Sequence, residues 1–301
     1  MPRPGVLRWS LAISLVLIGA IACRRVREGA PPPRDPAAST RGAEASVPLR
    51  APPDSLIPDG VLGASIRRGH ALLAATRDSL PDYVGNRLRC MSCHLDDGRR
   101  AYALPLVGVY ARYPQYRSRN ARVNSIEDRI NGCFQRSMNG RPLPLEGRDI
   151  RDITAYLAWI SRGIPVGATV EGQGTQTLTP LRPDTTQGRM VFAANCARCH
   201  GTRGEGTVVA PPLWGPESFN IGAGMARLRT AAAFIRHNMP YDRPGSLTDQ
   251  QAFDVASYVV SRPRPDFAGK ENDWPNGDAP PDVAYPTRGA RTLTHPDARH
   301  P

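Results

Sequence analysis

The sequence predicts a mostly α-helical protein built from two small domains of one kind in tandem, flanked by disordered extensions. Shifting the numbering by 106 superposes Cys90-Met91-Ser92-Cys93-His94 on Cys196-Ala197-Arg198-Cys199-His200, Pro105 on Pro211 and Cys133 on Met239. Each copy closes on a segment ending in Ser-Arg, DIRDITAYLAWISR at 149–162 and TDQQAFDVASYVVSR at 248–262. Apolar residues recur there at three- and four-residue spacing, as in a helix packed on a core. The two ends are rich in proline and lack apolar periodicity, so they cannot bury enough surface to offset the entropy of ordering.

Length and composition narrow the class. A chain of 301 residues suits two domains of ordinary size, and a mean hydropathy of −0.39 with 28 Gly and 31 Pro excludes a polytopic membrane protein. The net charge is +12, and Lys270 is the one lysine among 39 basic residues. Such a balance admits an anionic surface, a nucleic acid or a small anionic substrate.

In chain order, residues 1–22 read as an export signal: Arg3 and Arg8 precede an apolar run from Leu11 to Ala22. Twelve residues of helix rise about 18 Å, too little for a hydrocarbon core of roughly 30 Å. Cleavage before Cys23 resembles a lipoprotein signal and predicts a lipid anchor on that cysteine, hence a periplasmic protein tethered to a membrane. Ala20-Ile21-Ala22 also suits an ordinary signal peptidase, which leaves plain export open. Residues 23–58 are then a disordered Pro/Ala/Arg-rich spacer, 59–165 the N-terminal domain, 166–185 a Gly- and Thr-rich linker, 186–262 the C-terminal domain and 263–301 an extended tail. Helices are expected before each cysteine pair, at 64–77 and 186–195.

Cys-x-x-Cys-His is the attachment signature of haem c. Two thiols one helical turn apart reach the two vinyl groups of a porphyrin, and the next imidazole swings under the iron. A zinc site needs two further ligands per pair, and a thioredoxin-like pair needs a strand–turn–helix context absent from these flanks. Two such runs behind an export signal predict two covalently bound haems c, on Cys90, Cys93 and His94 and on Cys196, Cys199 and His200. The fold class is therefore two class I cytochrome c-like domains in tandem. A carbonyl near Pro105 or Pro211 is placed to accept the proton of each proximal Nδ1.

The sixth ligands are read from spacing. Met239 lies 39 residues after His200, on the segment before the last helix, with Met225 and His237 as competitors. Cys133 lies 39 residues after His94 and matches Met239 in the repeat; the bland alternative is an inert thiol with Met138 on the iron. A thiolate ligand lowers the first haem's potential below that of a His/Met haem, which sends electrons from the first to the second. Arg112, Arg117, Arg119, Arg122, Arg129 and Arg136 crowd within 25 residues of this region. Arg129 and Ser137 flank Cys133 four residues to either side and share its face on a helix. A fork of donors and a hydroxyl beside a thiol suit a small oxyanion; a nucleic acid needs a long basic stripe interleaved with aromatics.

The stretches YPQYRSRN, SIEDRINGCFQRSMNGRPLP, CARCH, PPLWGPESFNIGAGMARL and FIRHNMP resemble the dihaem thiosulfate dehydrogenases, also described as tetrathionate reductases, of bacterial periplasms. The resemblance covers roughly residues 60–262. It implies a first haem ligated by His94 and Cys133 as the active site, with Arg119, Arg129 and Ser137 anchoring thiosulfate, and Met239 as distal ligand of an electron-exporting second haem. Two thiosulfates would join to tetrathionate, with the electrons passing to a soluble acceptor such as a small cytochrome c or a high-potential iron-sulfur protein. Some members carry a lysine where this chain has Gly224. Two other readings remain open: a dihaem carrier with His/Met ligation at both irons, and a thiosulfotransferase-like sulfur-oxidation subunit that needs a partner cytochrome.

Overall fold

A computed structural model describes residues 46–289; the export segment, Cys23 and residues 290–301 lie outside the described residues. The first half runs α1 (Gly60–Ala74), α2 (Thr76–Ser79), α3 (Leu95–Gly98), the short antiparallel pair β1 (Gln115–Arg117) and β2 (Arg122–Asn124), α4 (Ile126–Arg136) and α5 (Arg148–Ile160). The second runs α6 (Thr185–Asn195), α7 (Ala197–His200), α8 (Leu228–Asn238) and α9 (Asp249–Val260). The four helices expected from periodicity are present within a few residues of their expected ends.

Each half is closed by the crossing of its first and last helices at a glycine. A Cβ at Gly69 on α1 would sit 1.9 Å from the Asp152 carbonyl oxygen of α5, and one at Gly188 on α6 would sit 2.0 Å from the Asp254 carbonyl oxygen of α9. The residue facing the glycine one turn on is a tyrosine both times, Tyr156 and Tyr258, with Cβ 3.0 Å away. The aspartates brace these crossings. Asp152 accepts from Ser65 Oγ at 2.5 Å and Arg68 Nη1 at 2.6 Å, and Asp254 accepts from the Asp184 amide at 2.7 Å.

α4 is fastened at both ends. Ser125 caps its start, with Oγ accepting the Asp128 amide at 3.2 Å and Asp128 Oδ2 accepting the Ser125 amide at 2.9 Å. The carbonyls at its end would be orphans. Asn220 Nδ2 donates to Gln135 O at 2.8 Å, the Asn220 amide to Arg136 O at 3.1 Å, and Asn86 Nδ2 to Ser137 O at 2.8 Å. Asn220 belongs to the second half, so the two halves share this cap.

Both extension boundaries move. The spacer was expected to be disordered to residue 58, yet from 46 on it is held: Val47 forms a parallel bridge with Val170, and Asp54 pairs with Arg99 at 2.5 Å. Past residue 262 the chain is irregular, with a 3-10 turn at Lys270–Asn272, and the expectation of a disordered extended tail fails over 263–289. Asp273 and Trp274 are 4% and 3% exposed. A chain too polar to fold alone is ordered here by partners that the two domains supply. Replacing Gly188 by Ala should force α6 and α9 apart and cost about 1–3 kcal/mol, which denaturant unfolding of the haem-loaded protein would measure.

Candidate functional site

In the first half a cleft of about 700 Å³, its mouth included, opens between α1, α4 and α5. Leu73, Leu106, Ile153, Leu157 and Phe219 make its walls apolar. α4 and its C-cap residue Ser137 present Ile130, Cys133, Phe134 and Ser137 to it, a stripe at i, i+3, i+4 and i+7. Cys90, Cys93 and His94 also line the cleft.

The donor chemistry fits haem c in both halves. Cys90, Cys93, Cys196 and Cys199 form no disulfide, so each sulfur is available for a thioether bond. Burial pushes Cys90 and Cys93 up to about 12 and Cys196 up to about 11. Thr76 Oγ1 donates to Cys90 Sγ at 3.3 Å and accepts the Cys90 amide at 3.1 Å, fixing that sulfur. His94 Nδ1 donates to Leu104 O at 2.5 Å and His200 Nδ1 to Pro211 O at 2.8 Å, leaving each Nε2 lone pair bare for a metal. Burial lowers His94 to about 4 and shifts His200 the same way, which keeps both imidazoles neutral at physiological pH. The acceptor near Pro105 is Leu104, one residue earlier than the internal repeat would place it.

Cys133 and two of its three expected companions come together. Arg129 Nη1 donates to Cys133 Sγ at 2.7 Å. The Cys133 sulfur favours the charged guanidinium against the opposing effect of burial, so Arg129 sits above the usual arginine range. Arg129 has no carboxylate partner among the described residues. Ser137 lines the same cleft, as does Met138, which is 4% exposed. Arg119 does not line it. Its Nη1 donates to Gly222 O at 2.6 Å and its guanidinium stacks on Trp274, 4.6 Å from the ring centroid. Arg117 is the arginine of β1 whose charge feels Arg129 and Cys133, after the larger effects of burial and Tyr113. Sequence reading named Arg117 only as one of a crowd of arginines and passed over Tyr113 and Trp274: Tyr113 sits among many similar residues, and Trp274 lies 141 positions beyond Cys133.

In the second half Phe192, Trp214 and Tyr258 pack with centroids 5.1 to 5.8 Å apart, beside Cys196. Met239 follows directly on α8 and, like Met225 and Leu104, packs against the cluster of Leu95, Ala103 and Phe234. Met225 also lines the first cleft. His237 Nε2 is buried without a hydrogen-bond partner, and its ring lies 5.6 Å from that of Tyr102. All three candidates for the second iron thus sit near the junction of the halves.

Residues 85–166 match the SoxA/TsdA cytochrome c domain, and residues 183–259 match the cytochrome c oxidase cbb3-type subunit III domain. A thiosulfate dehydrogenase of Psychrobacter arcticus is 46% identical over 254 residues, covering 82% of this chain and 78% of that one. One from Allochromatium vinosum is 48% identical over 239 residues, covering 76% of this chain and 88% of the relative. The solved thiosulfate dehydrogenase TsdBA of Marichromatium purpuratum superposes with a TM-score of 0.70 at 41% identity over 75% of this chain; it is longer, and 52% of it is covered. With two haem c groups, replacing both Cys196 and Cys199 by Ser should reduce the haem content from two per chain to one, as read by pyridine haemochrome absorbance. Two haems retained in that variant would overturn the assignment.

Proposed function

The chain belongs to the thiosulfate dehydrogenase family, and on that premise we propose that it joins two thiosulfate dianions into tetrathionate at the Cys133 cleft. The reaction balances as two S2O3 dianions giving one S4O6 dianion and two electrons. One S–S bond forms, and no proton is consumed. When bound, the two haems supply the one-electron acceptor chemistry that this two-electron oxidation requires. His94 and Cys133 would hold the first, and His200 with Met239 the second.

One observation carries the reading: a partly buried guanidinium donates to a cysteine sulfur that lines an apolar cleft shared with Cys90, Cys93 and His94, and among the described residues it has no carboxylate to neutralise it. Two dianions a few ångströms apart repel, by about 4 kcal/mol for each pair of unit charges at 4 Å and an effective dielectric of 20. Arg129 offsets that repulsion beside Cys133 by presenting fixed donors to the sulfonate oxygens, and Arg119, which stands outside the cleft lining on Gly222 O and Trp274, is assigned as the second anchor on the family resemblance. The Ser137 hydroxyl serves as a further donor. The sulfane sulfur is thereby directed at Cys133 Sγ.

The export signal 1–22 supports a periplasmic site of action, with Cys23 as a lipid anchor. Among the described residues no helix is long and apolar enough to cross a membrane. The electrons leave to a small soluble redox protein, a cytochrome c or a high-potential iron-sulfur protein.

Cys133→Gly should abolish thiosulfate-dependent ferricyanide reduction while both haems stay attached; retained turnover would refute the assignment. Arg129→Ala should lower kcat/KM by roughly 10²-fold, the usual loss for one oxyanion donor. Electron paramagnetic resonance of the oxidised protein separates this enzyme from a carrier. A low-spin His/thiolate signal is expected, whereas two His/Met signals would put Met138 on the first iron.

A further inference from the structure

The chain past residue 262 lies beyond both matched domains, 85–166 and 183–259. It nevertheless reaches back to Arg119 and to the end of α4. Asp273 takes Arg136 in a fork, with Nη2 to Oδ1 at 2.7 Å and Nη1 to Oδ2 at 2.8 Å, and accepts Tyr285 Oη at 2.6 Å. Arg136 also stacks on Phe267 at 4.1 Å. The next residue, Trp274, grips Arg119 twice. Its amide donates to Arg119 O at 2.7 Å, and its indole lies against the Arg119 guanidinium. Trp274 does so with φ at 51°, a left-handed conformation that bulky L residues avoid and that persists only where surrounding contacts impose it.

We propose that Trp274, backed by Asp273, is a positioning residue for thiosulfate binding, holding the Arg119 guanidinium oriented and charged for the incoming dianion. This inference rests on the proposed role of Arg119 as a substrate anchor.

The division of charge supports it. Two guanidiniums lie side by side, Arg119 and Arg136, both directed at the Gly222 carbonyl, at 2.6 and 3.4 Å. A single buried carboxylate serves them, and it is committed to Arg136. Arg119 spends one Nη1 donor on Gly222 and has no carboxylate partner among the described residues, so its other donors remain for an anion. Burial, and after it the neighbouring Arg136 charge, lowers Arg119 to about 10, which still leaves it protonated near neutral pH. An aromatic face supports such a cation without neutralising it, which a carboxylate would not do. A Cβ on Gly222 would come within 2.7 Å of Arg136 Nη1, so the approach to that carbonyl depends on glycine.

The test compares Trp274→Leu with Trp274→Phe in the full, haem-loaded chain. Leucine keeps apolar volume but offers no π face; phenylalanine keeps the face. Trp274→Leu should raise KM for thiosulfate about 5–10-fold with kcat within about twofold, and Trp274→Phe should restore KM to within about twofold of the parent. In an Arg119→Ala background the Leu substitution should add nothing. An unchanged KM in Trp274→Leu would overturn the proposal, as would an equal rise with and without Arg119. Loss of haem or of cooperative unfolding in both variants would do the same, since it would make Trp274 structural only. If Arg119→Ala itself leaves KM unchanged, the substrate role of Arg119 fails, a result distinct from failure of the strap.

Discussion

A guanidinium set against a sulfur, with no carboxylate among the described residues to neutralise it, is the constraint around which the first domain is organised. Withdrawing an unpaired cation from water is costly, and the cost is tolerated only where geometry is held firmly. α4 supplies that firmness. Its start is capped by Ser125, its middle buries Ile126, Ile130 and Phe134, and Asn131 ties it to Leu143 through bonds of 2.8 and 3.0 Å. Its last carbonyls are capped by Asn86 and Asn220. Arg129 and Cys133 therefore meet at 2.7 Å on a helix that cannot rotate without breaking partners at both ends.

The same economy joins the two domains. Leu104 uses its carbonyl to orient His94 and its side chain to pack beside Met225 and Met239. Asn238, just before Met239, donates to Tyr102 O at 3.1 Å. A shift in either half is thus felt at the proximal loop of the first and at the residues proposed for the second iron. The first cleft and the residues proposed for the second iron are linked through the short segment Tyr102–Leu104.

Much of this was legible in the sequence because it is local. Both Cys-x-x-Cys-His runs, the helices that cross at Gly69 and Gly188, the Ser125 cap and the pairing of Arg129 with Cys133 each depend on spacings of eight residues or fewer, or on a repeat that spacing reveals. What was not legible depends on chain segments that meet only after folding. Arg119 could be singled out by resemblance, but nothing local says that its guanidinium rests on Trp274, 155 positions away. The tail composition says nothing of the docking that buries Asp273 and Trp274. A single apolar residue in a polar, proline-rich stretch carries no periodicity, so its burial has no signature in one sequence.

The near-exclusive use of arginine has a physical reason that this architecture exposes. A lysine placed where Arg119 sits would start from a pKa near 10.4 and, under a comparable downward shift, would approach the point of losing its proton at neutral pH. Arginine begins about two units higher and stays charged. Its planar face also lets it rest on aromatic rings, as Arg119 does on Trp274, Arg136 on Phe267 and Arg264 on Phe219, while its edge still donates hydrogen bonds. A lysine ammonium can lie over a ring, but it has no edge with which to fork a carboxylate at the same time. A protein that must keep cations charged in partly dry surroundings beside an anionic substrate is therefore driven toward guanidinium, and the +12 net charge is the sum of those local demands and the ordinary arginines of its surface.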